Sequence, residues 1–239
     1  MRRRILEIAS ADPRVISGAE VGSLTQTTGD RWSDLDLTFS LANDAAGEEV
    51  LHDWTDRLRH ELGAVHLFDL PYVTTTYRVF LFPGNLQVDL SVTPGAVARM
   101  GDKFTLLFGE AVTRVQAPPL LAREVFGLAV HHALRARFSI ERGRMWAALY
   151  FVNELRDETL SLACLRRGLL AKYARGVDQL PAELLERAAA SVARSVDRSE
   201  LFRALTLGIG LLLDQADGFI EGAVDLDPGL RELMSTSLA

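Results

Sequence analysis

Hydrophobic and polar positions alternate in short stretches through the first half of the chain and settle into a helical rhythm through the second. Residues 15–21 read as a strand that runs into the turn Gly22-Ser23. Residues 34–40 read as a second strand, polar at 34, 36, 38 and 40 and apolar at 35, 37 and 39. Residues 47–62 carry a helical pattern, and 65–67, 74–82 and 86–92 read as further strands, with Pro83-Gly84-Asn85 supplying the tight turn between the last two. Beyond residue 120 the apolar spacing predicts helices over 120–138, 144–166, 169–175, 182–193 and 200–222. Pro181 suits a first-turn position, and Ser139 and Gly143 suit the connection between the first two helices. The predicted class is α/β in the α+β sense: a mixed sheet with flanking helices, followed by an all-helical bundle. Two consecutive prolines in Gln116-Ala117-Pro118-Pro119 stop any element that reaches them, so the expected domains are 1–117 and 118–239.

Composition changes this picture only a little. With 48% hydrophobic and 24% charged residues in 239, the chain has ample material for a core, which excludes disorder for most of its length. A formal net charge of −6, from 32 acids against 26 Lys plus Arg, repels a phosphate backbone, so duplex nucleic acid is not an expected partner. The single cysteine, Cys164, lies in a helical run and reads as a buried thiol. The start Met1-Arg2-Arg3-Arg4 resembles the basic part of a leader, but Glu7 interrupts the apolar run that follows. Residues 205–213 form the most apolar later stretch and are far short of the roughly 20 residues that span a bilayer. A cytoplasmic protein with no membrane partner is expected.

The chemistry lies in the strand faces. Period-two alternation puts Asp34 and Asp36 on one exposed face, about 6 to 7 Å apart at their Cα atoms, and seats Leu35, Leu37 and Phe39 in the core. The strand over 86–92 repeats the pattern, with Gln87, Asp89 and Ser91 alternating with Val88, Leu90 and Val92. If the two strands are neighbours, Asp89 joins the pair, and three clustered carboxylates call for a hard divalent cation such as Mg²⁺. Gly22-Ser23 precedes Asp34 by a ten-residue spacer containing Thr25, Thr27, Thr28 and Gly29. A glycine lets backbone N–H groups approach a phosphate, and the serine hydroxyl adds a donor.

These residues, Val21-Gly22-Ser23, Ser33-Asp34-Leu35-Asp36 and Gln87-Val88-Asp89, give the chain a resemblance to the nucleotidyltransferase superfamily related to polymerase beta. It most resembles the antibiotic-modifying branch, the aminoglycoside and lincosamide nucleotidyltransferases. The pattern covers about residues 14–92; the helical half is similar by architecture and loosely around 140–166. The resemblance implies that Gly22 and Ser23 hold the phosphates of ATP or another nucleoside triphosphate, that Asp34 and Asp36 bind Mg²⁺, and that Asp89 completes the site. It implies transfer of a nucleoside monophosphate, AMP from ATP, to a hydroxyl of a small cationic acceptor such as an antibiotic, and hence a role in antibiotic resistance. A toxin-type transferase acting on tRNA or protein, and a nucleotide-binding protein without turnover, are the alternative readings.

The antibiotic-modifying relatives often draw a general base from the helical half. There Trp146, Tyr150, Asn153 and Asp157 form a polar-aromatic stripe with Glu154 at its edge, while Leu149, Val152 and Leu155 face elsewhere. Glu154 is favoured as the base over Asp157, because Arg156 stands ready to pair with Asp157. Lys172 and Arg175 are candidates to stabilise the departing pyrophosphate, set against the plainer reading of a solvated basic face. Gly101-Asp102-Lys103 lacks the glycines of a phosphate-binding loop, and Gly208-Ile209-Gly210 lies inside an apolar helix. His131 and His132, adjacent on a helix, point about 100° apart and do not chelate one metal.

Overall fold

In a computed structural model of the chain, residues 1–25, 30, 32–42, 45–72, 74–99, 103–113 and 120–235 are described. The chain divides into two units, Met1–Ala117 and Pro118–Ala239. The expected boundary motif at 116–119 lies outside the described residues, as do 26–29 of the spacer and Gly101-Asp102.

The first unit opens with helix α1 (Arg2–Ala11) and strand β1 (Val15–Val21). Strand β2 (Leu35–Leu41) and helix α2 (Gly47–Leu62) follow, then strands β3 (Val65–Tyr72), β4 (Thr75–Phe82) and β5 (Leu86–Pro94). The short strands β6 (Val97–Arg99) and β8 (Ala111–Thr113) pair in parallel, and β7 (Phe104–Phe108) lies between them in sequence. The main sheet has six strands in the order β3-β4-β5-β2-β1-β7. Only β2 and β5 pair in parallel there; the other neighbours are antiparallel. Helix α2 carries the chain away after β2, and the two hairpins β3-β4-β5 bring it back beside β2 running the same way.

One face of this sheet is closed by α1 and α2. The apolar halves of β2 and β5, Leu35, Leu37, Phe39, Val88, Leu90 and Val92, pack with Phe80 and Phe82 against Ile5, Ile8, Val50, Trp54 and Leu58. Trp54 stands edge-on to Phe39, their centroids 5.1 Å apart, and donates its indole N–H to Asp12 at 2.9 Å. Asp12 also accepts from the Arg14 guanidinium. Gly63, in the left-handed region at φ +67°, ends α2 and donates its N–H to the Arg59 carbonyl. Helix α1, strands β6, β7 and β8, and the extension of β3 to Tyr72 were not expected.

The second unit contains α3 (Ala122–Glu141), α4 (Met145–Arg166), α5 (Ala182–Ala190), α6 (Arg198–Ala216) and α7 (Ala223–Leu233). Val125, Phe126, Ala129, Ala133, Ala136 and Ile140 give α3 a seam at helical spacing that packs with Val152 and Leu155 of α4 and Leu205, Ile209 and Leu212 of α6. Gly208 belongs to this contact, since a Cβ there would come within 3.0 Å of Leu155 Cδ2. No helix among the described residues is long and apolar enough to cross a membrane.

Two helical expectations are corrected. The segment 169–175 is not an α-helix: it holds a 3₁₀ turn, Lys172–Ala174, in which Tyr173 and Ala174 take positive φ, and a second turn, Val177–Gln179, follows. The Leu170 carbonyl is taken by the Gly176 N–H at 2.7 Å, which closes a loop instead of a helical turn. The helix expected over 200–222 ends at Ala216, because Gly218 and Gly222 both sit at positive φ and let the chain turn into α7.

Candidate functional site

The register of the sheet assembles the acids. Asp36 on β2 is the direct partner of Asp89 on β5, and Leu35 and Val88, one residue earlier on each strand, pair on the buried face. Asp34 lies immediately before β2 on the same side as Asp36. One carboxylate oxygen from each of Asp34, Asp36 and Asp89 lies within 4.8 Å of the others, and all three side chains are half-buried. Burial pushes the Asp89 carboxyl up; the Gln87 amide, donating to it at 2.9 Å, opposes that rise, and the charge of Asp34 adds to it. Three hard oxygen donors held this close, with their charges in conflict, match a divalent cation of the Mg²⁺ type better than a thiolate- or imidazole-loving metal.

A glycine turn presses on this cluster. Val21, the last residue of β1, pairs with Asp36, and the chain then turns at Gly22 with φ +82°. The Gly22 N–H donates to the Lys103 carbonyl at 3.2 Å, and its own carbonyl accepts the Thr25 hydroxyl at 2.8 Å, closing the 3₁₀ turn Ser23–Thr25. A Cβ at residue 22 would run into Oδ2 of Asp36. A side chain here would be strained by the left-handed backbone angle and would force the Asp36 carboxylate to shift, and glycine avoids both. Ser23 is half-buried at the start of the turn. Just before Asp34, the Trp32 N–H and the Ser33 hydroxyl donate to Asp30, which folds the end of the spacer back on itself.

The amide of Gln87 is the contact that sequence reasoning did not assign. It lies two residues before Asp89 on the same strand face, so the period-two spacing was the available signal.

In the helical unit, Trp146, Tyr150 and Asp157 are exposed on α4, while Val152 and Leu155 are buried and Leu149 packs against the same core. Asp157 accepts the Arg156 guanidinium at 2.8 Å. Glu154 is half-buried, and its charge partly offsets the burial that pushes the His132 imidazole down. The His132 ring lies 6.0 Å from Phe151, and its Nδ1 is buried with no hydrogen-bond partner among the described residues. His131 and His132 sit with ring centroids 5.7 Å apart. Lys172 and Arg175 both approach the exposed ring of Tyr173, at 4.9 and 5.6 Å from its centroid. Cys164 is buried and free, and burial pushes its thiol up.

Among solved structures, the chain is similar to an aminoglycoside 6-adenyltransferase from Bacillus subtilis, with 12% identity and a TM-score of 0.40 over 98% of this chain and 97% of that one. No protein-family model matches the sequence, and no curated protein matches it significantly. At that level of likeness no residue role passes from the one protein to the other.

Proposed function

We propose that the protein is a Mg²⁺-dependent nucleotidyltransferase that moves a nucleoside monophosphate, AMP from ATP, to a hydroxyl of a small acceptor of the aminoglycoside or lincosamide kind. The observation that carries this reading is the convergence of Asp34, Asp36 and Asp89 beside the left-handed Gly22 turn, whose Cβ position meets the Asp36 carboxylate. Asp34, Asp36 and Asp89 are the residues that would hold the cation, which supplies charge neutralisation to the triphosphate. Gly22 and Ser23 offer a backbone turn and a hydroxyl to the phosphate oxygens, which orients the α-phosphorus.

The acceptor oxygen attacks the α-phosphorus while the bond to the β-phosphate's bridging oxygen breaks. The nucleoside monophosphate ends on the acceptor, pyrophosphate leaves with the bonding pair, and the hydroxyl proton passes to a carboxylate. Glu154 is assigned that proton, because Asp157 is already engaged by Arg156. Lys172 and Arg175 are assigned to the charge of the pyrophosphate. Catalysis on this scheme is mostly positioning and charge compensation.

The test is a screen of the four common nucleoside triphosphates with Mg²⁺ against hydroxyl-bearing antibiotics, read by mass spectrometry. The expected result is an acceptor heavier by one nucleoside monophosphate less water, with one pyrophosphate released per adduct. A protein that binds none of the four triphosphates in the presence of Mg²⁺ contradicts the reading.

A further inference from the structure

The sheet face that carries the three acids continues into an apolar shelf. On β4, Val79 is the direct partner of Asp89, with Leu81 opposite Gln87 and Tyr77 opposite Ser91. On β3, Phe68 pairs with Val79, Leu70 with Tyr77 and Val65 with Leu81. Cross-strand partners share a face, so all of these side chains lie on the same side as the acids. His66 and Asp69 take the other side, His66 against Phe80 and Asp69 paired with Arg78 at 2.6 Å.

A register shift between His66 and Phe68 produces this arrangement. Leu67 is the extra residue of a bulge, and it changes the phase of the strand. Without it, Asp69 would share the face of Val65; with it, Phe68 and Leu70 do. Val65, Phe68 and Leu70 are nonetheless 56%, 49% and 53% exposed, although Val79 beside them is buried. β3 is an edge strand, yet the bulge and Pro71 interrupt its outer edge and make it a poor template for an added strand. The exposed apolar surface therefore belongs to the face rather than to the edge.

We infer that this shelf holds a ring-sized apolar part of the acceptor, whose hydroxyl then reaches toward Asp89. The inference rests on the nucleotidyltransferase reading for the word acceptor, and on the sheet register for the surface. Phe68 stands two strands from Asp89, about 10 Å at the usual spacing, with Val79 between them. A fused or substituted ring bearing a hydroxyl spans that distance. Of the acceptor kinds proposed above, the shelf favours an amphipathic hydroxyl compound, with an apolar ring as well as polar groups, over the polycationic aminoglycoside kind.

The test uses 2-(2-naphthyl)ethanol, a neutral ring system with one hydroxyl, and equilibrium dialysis against the full chain without nucleotide or metal. Wild type is expected to bind it, and the double variant Phe68→Ser/Leu70→Ser to bind at least ten-fold more weakly. Phe68→Tyr, which keeps the ring, and Val224→Ser, at an exposed position of α7, are expected to bind within two-fold of wild type. If circular dichroism shows the double variant unfolded, Leu70→Thr replaces it, with a loss of at least three-fold expected. Wild-type affinity in the serine or threonine variant overturns the shelf. So does a wild-type dimer, seen by sedimentation, that the double variant lacks, since the face would then be a self-association surface. Because the assay contains no triphosphate, failure of transfer leaves its result standing, and intact transfer with no effect of the shelf variants overturns the shelf and spares the transfer reading.

Discussion

Gly22 and Asp36 are so closely apposed that a Cβ on the glycine would collide with the carboxylate oxygen Oδ2. The turn and the acid are thus one piece of structure, joined by the pairing of Val21 with Asp36.

Gly22→Ala is expected to lose nucleotide binding at least ten-fold. Gly84 provides the matched control, because it has the same φ of +82° and open space where a Cβ would go. Each alanine meets a backbone cost of about 1 to 2 kcal/mol from the left-handed region. Gly84→Ala should show that cost in thermal unfolding and bind nucleotide normally. Equal nucleotide affinity in the two variants would separate Gly22 from the site.

Glu154→Gln is expected to lower kcat about 10²-fold or more with little change in nucleotide affinity, as befits loss of a general base. Asp157→Asn should remain active, since its carboxylate is engaged by Arg156. The reverse pattern, with both variants folded, assigns the proton to Asp157.

The alternation in residues 34–40 and 86–92 makes the acid face and the core face legible in the amino-acid sequence itself, and the parallel register between Asp36 and Asp89 agrees with it. The features that are not legible have local causes. Helix α1 has few buried positions, Ile5, Ile8 and Ala9, so its period is hard to tell from a short apolar run. The strand pattern of β3 reads only to Leu67 because the bulge breaks alternation there. The 3₁₀ turn at Lys172–Ala174 has a helical composition because leucine, alanine and lysine favour helices, and the positive φ values of Tyr173 and Ala174 leave no mark in it.

Asp12 offers a pH-dependent check on the first unit's fold. Its side chain is 9% exposed, and hydrogen bonds from Arg14 hold its carboxyl down from 3.8 to about 2. A carboxyl depressed in the folded state stabilises above its unfolded pKa, near 4, and loses that contribution as pH falls through 2. The shift corresponds to about 2 kcal/mol at neutral pH. Asp12→Asn should therefore unfold at lower denaturant than wild type at pH 7, and the gap should close steadily between about pH 4 and pH 2. A gap independent of pH across that window would contradict the pairing.

Arg137 is 1% exposed in α3, where its guanidinium donates to the carbonyls of Leu233 and Ser235 at the end of α7 and pairs with Glu141. The last carbonyls of a helix have no partners within it, and this buried cation supplies one to Leu233, the final residue of α7, and one to Ser235 just beyond it. Arg137→Met should cost about 3 kcal/mol, from two charge-assisted hydrogen bonds at about 1.5 kcal/mol each. Hydrogen exchange should show the amides near 230–235 losing protection first. Uniform loss across the helical unit, or none, would contradict a clamp on α7.

The central claim is that Asp34, Asp36 and Asp89 hold a divalent cation for a triphosphate, and the most direct measurement is Mn²⁺ binding by electron paramagnetic resonance, with and without ATP. Wild type is expected to bind Mn²⁺ more tightly when ATP is present. Asp36→Asn should bind at least ten-fold more weakly while unfolding at the wild-type temperature, because its side chain faces the acids and not the core formed by Leu35 and Leu37. Mn²⁺ affinity in Asp36→Asn equal to that of wild type, with ATP present, would contradict the account.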